Sequence, residues 1–190
     1  MTISSVKTGA IGDSLLAGNA AFNPSSYESI ATATGTGSSG TITFSSIPAT
    51  YSSLQVRYSL LMGAAGDNVI MRFNSDSGAN YTRHILYGTG SAVTASGSTG
   101  VTSIGVGSYF NGAATANPNV GIIDIHNYAS TTQNKTVRTI AGIDLNGSGD
   151  IDLTSGLWIN TAAVSTVTLS VVGNTFSTGS TFSLYGIKGA

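Results

Sequence analysis

From Tyr27 onward the chain alternates apolar and polar residues in short runs, and clusters of Gly, Ser, Asn and Asp separate the runs. A period of two sends successive side chains to opposite faces of a strand, so the pattern predicts antiparallel β structure. In 53–62, Leu54, Val56, Tyr58 and Leu60 share the inward face, and Gln55, Arg57 and Ser59 take the outward one. Ile42 and Phe44 share a face in 41–45, Val69, Met71 and Phe73 in the run around Arg72, and Val137, Thr139, Ala141, Ile143 and Leu145 in 136–145. Further strands are predicted over 27–34, 80–87, 101–106, 120–128, 156–160, 164–172 and 181–187. In 120–128 the residues Ile122, Ile123 and Ile125 put apolar groups on both faces, so both faces of that strand are expected to be covered. The stretch 88–100 is small and polar and reads as a surface loop.

β-Branched residues are frequent and no amphipathic helix of useful length is present. The predicted fold is therefore all-β: an antiparallel β-sandwich of jelly-roll or Greek-key type over residues 25–190. Pro48 and Pro118 fall in predicted turns, where a sheet tolerates them. Residues 1–24 read differently. They contain Leu15-Leu16-Ala17-Gly18-Asn19-Ala20-Ala21-Phe22, apolar but without strand alternation, and are too short for a core of their own. They are expected to form an extended N-terminal arm that lies on a neighbouring subunit through Ile11, Leu15, Leu16 and Phe22.

Charge changes the picture most. Only 8% of residues are charged, against roughly a quarter in an average domain, while 41% are hydrophobic. The surface must be built of Ser, Thr, Gly, Asn and Ala, which suits a dense assembly where burying Lys or Glu would cost desolvation energy and equally suits an extracellular β-protein; composition does not choose between the two. Seven basic and eight acidic residues give a net charge of −1, and no stretch gathers the cations needed to neutralise several phosphates; nucleic acid is not an expected partner. There is no cysteine, hence no thiol chemistry. No signal-peptide run and no window near the ~20 apolar residues of a membrane helix is found, so no membrane partner is expected.

Candidate chemistry is sparse. Gly35-Thr36-Gly37-Ser38-Ser39-Gly40 matches a phosphate-loop pattern, but a strand rather than a helix follows, and it reads as a hairpin loop. In 144–152 the oxygens of Asp144, Asn146, Ser148, Asp150 and Asp152 alternate, with Gly149 sixth, as in a calcium loop. Ser155 stands where the bidentate carboxylate belongs and the flanks read as strands, so a structural Ca2+ clip and a plain Asn/Gly/Asp turn explain the segment equally well. Asp150 and Asp152 are two apart on an extended segment and cannot flank a glycosidic bond. His84 and His126 accompany no nucleophile elbow and no zinc spacing, so no enzyme and no catalytic residue is expected. Tyr81, Tyr87, Tyr109, Tyr128, Tyr185 and Trp158 read either as packing residues or as a platform that stacks on sugars.

Five segments carry a resemblance: 44–57 (Phe44-Ser45-Ser46-Ile47-Pro48 through Gln55-Val56-Arg57), 72–81 (Arg72-Phe73-Asn74-Ser75-Asp76 through Asn80-Tyr81), 124–130, 155–158 with Trp158, and 179–189 with its closing Ser183-Leu184-Tyr185-Gly186-Ile187-Lys188-Gly189. In order and spacing these resemble a family of small virion proteins of tailed bacteriophages, over about residues 26–189, with members described as structural, decoration or tail-fibre proteins. The resemblance implies a β-sandwich and a virion location, and brings no catalytic residue with it. The expected role is an accessory protein of the particle exterior, a homotrimer that decorates and cements the head against the major capsid protein. The alternative is a tail fibre or appendage, set among tail or baseplate proteins, whose sandwich binds a host-surface glycan.

Overall fold

The computed structural model describes residues 26–62, 68–107, 117–171 and 173–189. Ile11, Leu15, Leu16 and Phe22 of the arm, and Tyr109, lie outside the described residues. The alternating runs become β1 (Tyr27–Thr34), β2 (Thr41–Phe44), β3 (Ser53–Leu60), β4 (Val69–Phe73), β5 (Tyr81–Gly88), β6 (Val93–Val101), β7 (Ile104–Gly107), β8 (Asn119–His126), β9 (Lys135–Asp144), β10 (Gly149–Trp158), β11 (Val167–Val171) and β12 (Thr181–Ile187). They pair antiparallel in a large sheet ordered β1-β12-β3-β8-β9-β10-β5-β6 and a small sheet ordered β2-β11-β4-β7.

Four pairings define how the chain is wound. β1 pairs with β12, β2 with β11, β3 with β8 and β4 with β7. The first four strands and their partners thus form one long ribbon whose successive steps fall in alternate sheets. That winding is the eight-stranded jelly roll. The hairpins β5–β6 and β9–β10 are insertions into it, and both extend the large sheet beyond β8. The fold expected from the alternation is the fold observed.

Between the sheets, Leu54, Val56 and Leu60 of β3, Val69, Met71 and Phe73 of β4, Ile123 and Ile125 of β8, and Val137, Val167 and Leu169 are fully buried. Each such side chain contributes about 1.5–3 kcal/mol of burial. Tyr58 lies across Gly121, where a Cβ would collide with its ring, and donates its hydroxyl to the Val106 carbonyl (2.8 Å), tying the large sheet to β7. Burial, then the nearby Asp152, pushes the Tyr58 phenol far above its ordinary value.

The glycine run 35–40 is a correction. It joins β1 in the large sheet to β2 in the small one, so it is a crossing between sheets and not a hairpin loop. Its glycines serve close approach. The Gly35 N–H donates to the Ser180 carbonyl (2.9 Å), and a Cβ at Gly35 would collide with the Ser177 carbonyl oxygen. Two further corrections concern β6 and β10. Residues 88–100 were expected to be a loop, yet β6 pairs with β5 along its length. It is an edge strand open on both faces, so its sequence needs no apolar alternation. β10 starts at Gly149, well before the expected 156.

Trp158 closes one end of the core. Its ring lies 5.4 Å from that of Phe73 and stacks on Tyr81 at 6.3 Å. Its Nε1–H donates to Asp76 Oδ2 (2.7 Å), and Asp76 also accepts from Asn80 Nδ2 and the Gly78 N–H. The Tyr81 hydroxyl bridges the same turn, donating to the Asp76 carbonyl and accepting from the Phe73 N–H, 3.1 Å each. The Trp158 indole first, then Asn80, hold the Asp76 carboxyl below its ordinary value, against a smaller opposing effect of burial. A carboxyl depressed on folding stabilises the fold above the ordinary carboxylate range, about pH 4, and loses that contribution as pH falls through the folded value. Urea denaturation at stepped pH is therefore expected to show a shallower acid loss for Asp76→Asn than for the parent; identical acid limbs would remove Asp76 as a source.

Candidate functional site

The strands that build the core also have an outer face, and on the large sheet that face is apolar where it is expected to be polar. Alternation from Trp158 explains how. Trp158, Gly156, Thr154 and Asp152 share the inward parity of β10, so Leu153 and Ile151 must point out. They are 53% and 58% exposed, while Asp152 and Thr154 are buried. The same holds on β8 and β9, where Val120, Ile122 and Ile140 face outward and are 51%, 37% and 50% exposed. Of the two faces of β8 expected to be covered, the small sheet covers the inner one, and among the described residues nothing covers the outer one.

Register gathers these residues into two adjacent rows. Ile122 stands opposite Ile140, Ile140 opposite Leu153, and Leu153 opposite Leu86. In the neighbouring row Val120, Gly142, Ile151, Gly88 and Val93 follow one another across the sheet. Directly opposite side chains lie about 5 Å apart, so the rows form one contiguous patch. Seven roughly half-exposed aliphatic side chains present on the order of 600 Å², the upper end of what a monomer leaves open. Gly142 and Gly88 carry no side chain, and a groove of ≈1100 Å³ runs along this end of the patch, lined by Val120, Ile122, Ile140 and Ile151 and closed by Ser148 and Gly149.

Beside the apolar rows the face turns polar. The next row is Tyr185, Gln55, Asp124, Arg138, Ser155 and His84. Arg57 sits opposite Ile122 at the border, its guanidinium 5.6 Å from the ring centroids of both Tyr27 and Tyr185. Its Nε donates to Gln55 Oε1 (2.7 Å), and Gln55 Nε2 donates to Asp124 Oδ1 (2.7 Å). The cation lies between two tyrosine rings that meet edge to face and is bonded to a neutral amide, which sets a polar boundary to the patch.

The residues singled out for chemistry are not gathered here. The 144–152 segment is the β9–β10 hairpin, with Asn146 and Gly147 at positive φ and the Asn146 N–H capped by Asp144 Oδ1 (2.8 Å). Asp144 follows the outward parity of β9, whereas Asp150 and Asp152 follow the inward parity of β10, so these oxygens divide between two faces of the sheet. Among the described residues no group of three or more His, Cys, Asp or Glu side chains gathers in metal-binding range. Melting in calcium and in EDTA is expected to coincide; a rise of several degrees with calcium would restore the clip.

His84 and His126 both point outward on β5 and β8, on the face opposite the core. Tyr81, Tyr128 and Trp158 are core residues. The Tyr128 hydroxyl donates to the Pro48 carbonyl (2.6 Å) and accepts the Tyr51 N–H, a structural tie. Of the proposed sugar-stacking set, Tyr185 packs on Tyr27 and Tyr87 lines a smaller recess of ≈240 Å³ beneath β5, shared with Arg83, Asp152 and Thr154. Beyond the apolar outer residues of β8, the extent of the open face was not read from the sequence. Its signal was there: in Asp150-Ile151-Asp152-Leu153-Thr154, the phase set by Trp158 already turns the aliphatic residues outward. No family model, curated protein or solved structure matches the chain.

Proposed function

We propose that this protein is a non-catalytic structural component of a tailed-phage virion, carried on the particle exterior, where it decorates and cements the head as a homotrimer against the major capsid protein. The observation that carries the reading is the open apolar face of the large sheet. A patch at the upper end of what a monomer leaves open, bordered by a polar row, is of the kind that serves contacts with other proteins. The sparse charge supports the same reading, since such a surface loses little desolvation energy on assembly. A jelly roll is an architecture used in capsids and in lectins alike, so the fold is compatible with this role without selecting it. The virion placement is what the sequence resemblance over 26–189 implies.

The tail-appendage reading draws on aromatic residues that would stack on a host glycan. Three of them, Tyr81, Tyr128 and Trp158, are buried, so no described feature favours it over decoration. Immunogold labelling of intact particles with antibodies against this chain tests the placement. Gold spread over the head is the expected result. Gold confined to the tail would overturn decoration, and unlabelled particles with soluble antigen would overturn the virion placement altogether.

A further inference from the structure

We propose that the apolar face of the large sheet is the docking site for the N-terminal segment 11–22 of a neighbouring copy. The inference deepens the assembly reading above and rests on it. Three observations select this occupant.

The first is shape. The patch is concave at the row of Val120, Gly142 and Ile151, where the groove of ≈1100 Å³ runs. Two copies related by a two-fold axis would set groove against groove and leave the cavity unfilled. A linear segment carrying Leu15, Leu16 and Phe22 fills it.

The second is area. On the order of 600 Å² is less than the ~800 Å² per partner that a standard interface between folded surfaces buries, which suits a short segment better than a second folded surface.

The third is length. From β8 to β6 the patch crosses four strand spacings, about 19 Å. Extended chain from Leu16 to Phe22 spans about 20 Å. The described chain begins at Ser26 on the outermost strand, where the Ser26 carbonyl accepts the Lys188 N–H (3.1 Å) and Lys188 pairs with Glu28 (2.9 Å). The segment therefore departs from a pinned edge of the same sheet, beside Tyr27. A segment-to-face contact is heterologous, the kind that closes into a ring, as a trimer requires.

The chain contains no cysteine, so introduced thiols report only the chosen contact. Leu16→Cys is made in a chain with a size tag and Ile140→Cys in an untagged chain. The two are mixed and treated with a short bismaleimide. Thr43→Cys, exposed on β2 of the small sheet, replaces Ile140→Cys as the control. The expected result is a tagged–untagged conjugate with Ile140→Cys at least fivefold above the control, repeated with Phe22→Cys and Ile122→Cys.

Equal yields, or no conjugate while both chains keep their circular dichroism, would overturn the proposal. So would linkage found only within a single chain carrying Leu16→Cys and Ile140→Cys together, since the segment would then cover its own sheet. Conjugate formation by a chain absent from particles would leave the docking intact and remove only the virion placement. A particle-bound chain that forms no conjugate would do the reverse.

Discussion

Replacing Trp158 with alanine is expected to destabilise the protein by about 3–5 kcal/mol, a large share of the 5–15 kcal/mol that a domain possesses. The indole is 1% exposed and sits between the rings of Phe73 and Tyr81, so its removal leaves a cavity that two rigid neighbours cannot close. It also strips Asp76 of its shortest hydrogen bond. The 72–81 turn, which that carboxylate organises, would loosen with it. Trp158 is the sole tryptophan, so circular dichroism in urea is the measure; a midpoint within error of the parent would show that the Phe73–Tyr81–Trp158 cluster is not the anchor described.

Lys135→Met is expected to cost about 3 kcal/mol for a different reason. Lys135 is fully buried, and its Nζ donates to the carbonyls of Ser130 (2.8 Å), Gln133 (2.6 Å), Thr161 (3.0 Å) and, longer, Asn160 (3.4 Å). Burial draws its ammonium below the ordinary lysine value. Those carbonyls belong to the loop before β9 and the loop after β10, so one cation clamps both ends of the inserted hairpin. Methionine keeps the stem and removes the donors, leaving partly buried acceptors unmatched, at about 1–3 kcal/mol for each one that water does not reach, partly offset by the desolvation no longer borne by the ammonium. Urea midpoints measure the loss. A neutral substitution would mean that water or neighbouring donors satisfy the loops without the lysine.

The jelly roll was legible because its inner faces alternate. Leu54, Val56, Tyr58 and Leu60, or Val69, Met71 and Phe73, announce a buried side at period two. β6 was illegible for the converse reason. Val93-Thr94-Ala95-Ser96-Gly97-Ser98-Thr99-Gly100-Val101 lies beyond the small sheet and buries neither face, so only backbone pairing with β5 makes it a strand. The start of β10 was hidden by Gly149, which read as a turn, and by Asp150 and Asp152, whose oxygens read as ligand chemistry; both acids follow the inward parity of the strand. Glycines 35–40 announced a change of direction without saying that the change led to the other sheet. The candidate site was half legible: Ile122 beside Ile123 showed an apolar outer face on β8, but only the register across β9, β10 and β5 shows that Ile140, Leu153 and Leu86 extend it.

That extended face is the centre of the functional reading, and sedimentation velocity of the full chain beside its Ile140→Glu/Leu153→Glu variant tests it most directly. Both side chains are about half exposed and point away from the core, so the double variant is expected to keep the parent's circular dichroism and melting temperature. The parent is expected to sediment as an oligomer and the variant as a monomer. A parent that sediments as a monomer, or a variant that assembles as the parent does, would contradict the assignment of this face to assembly.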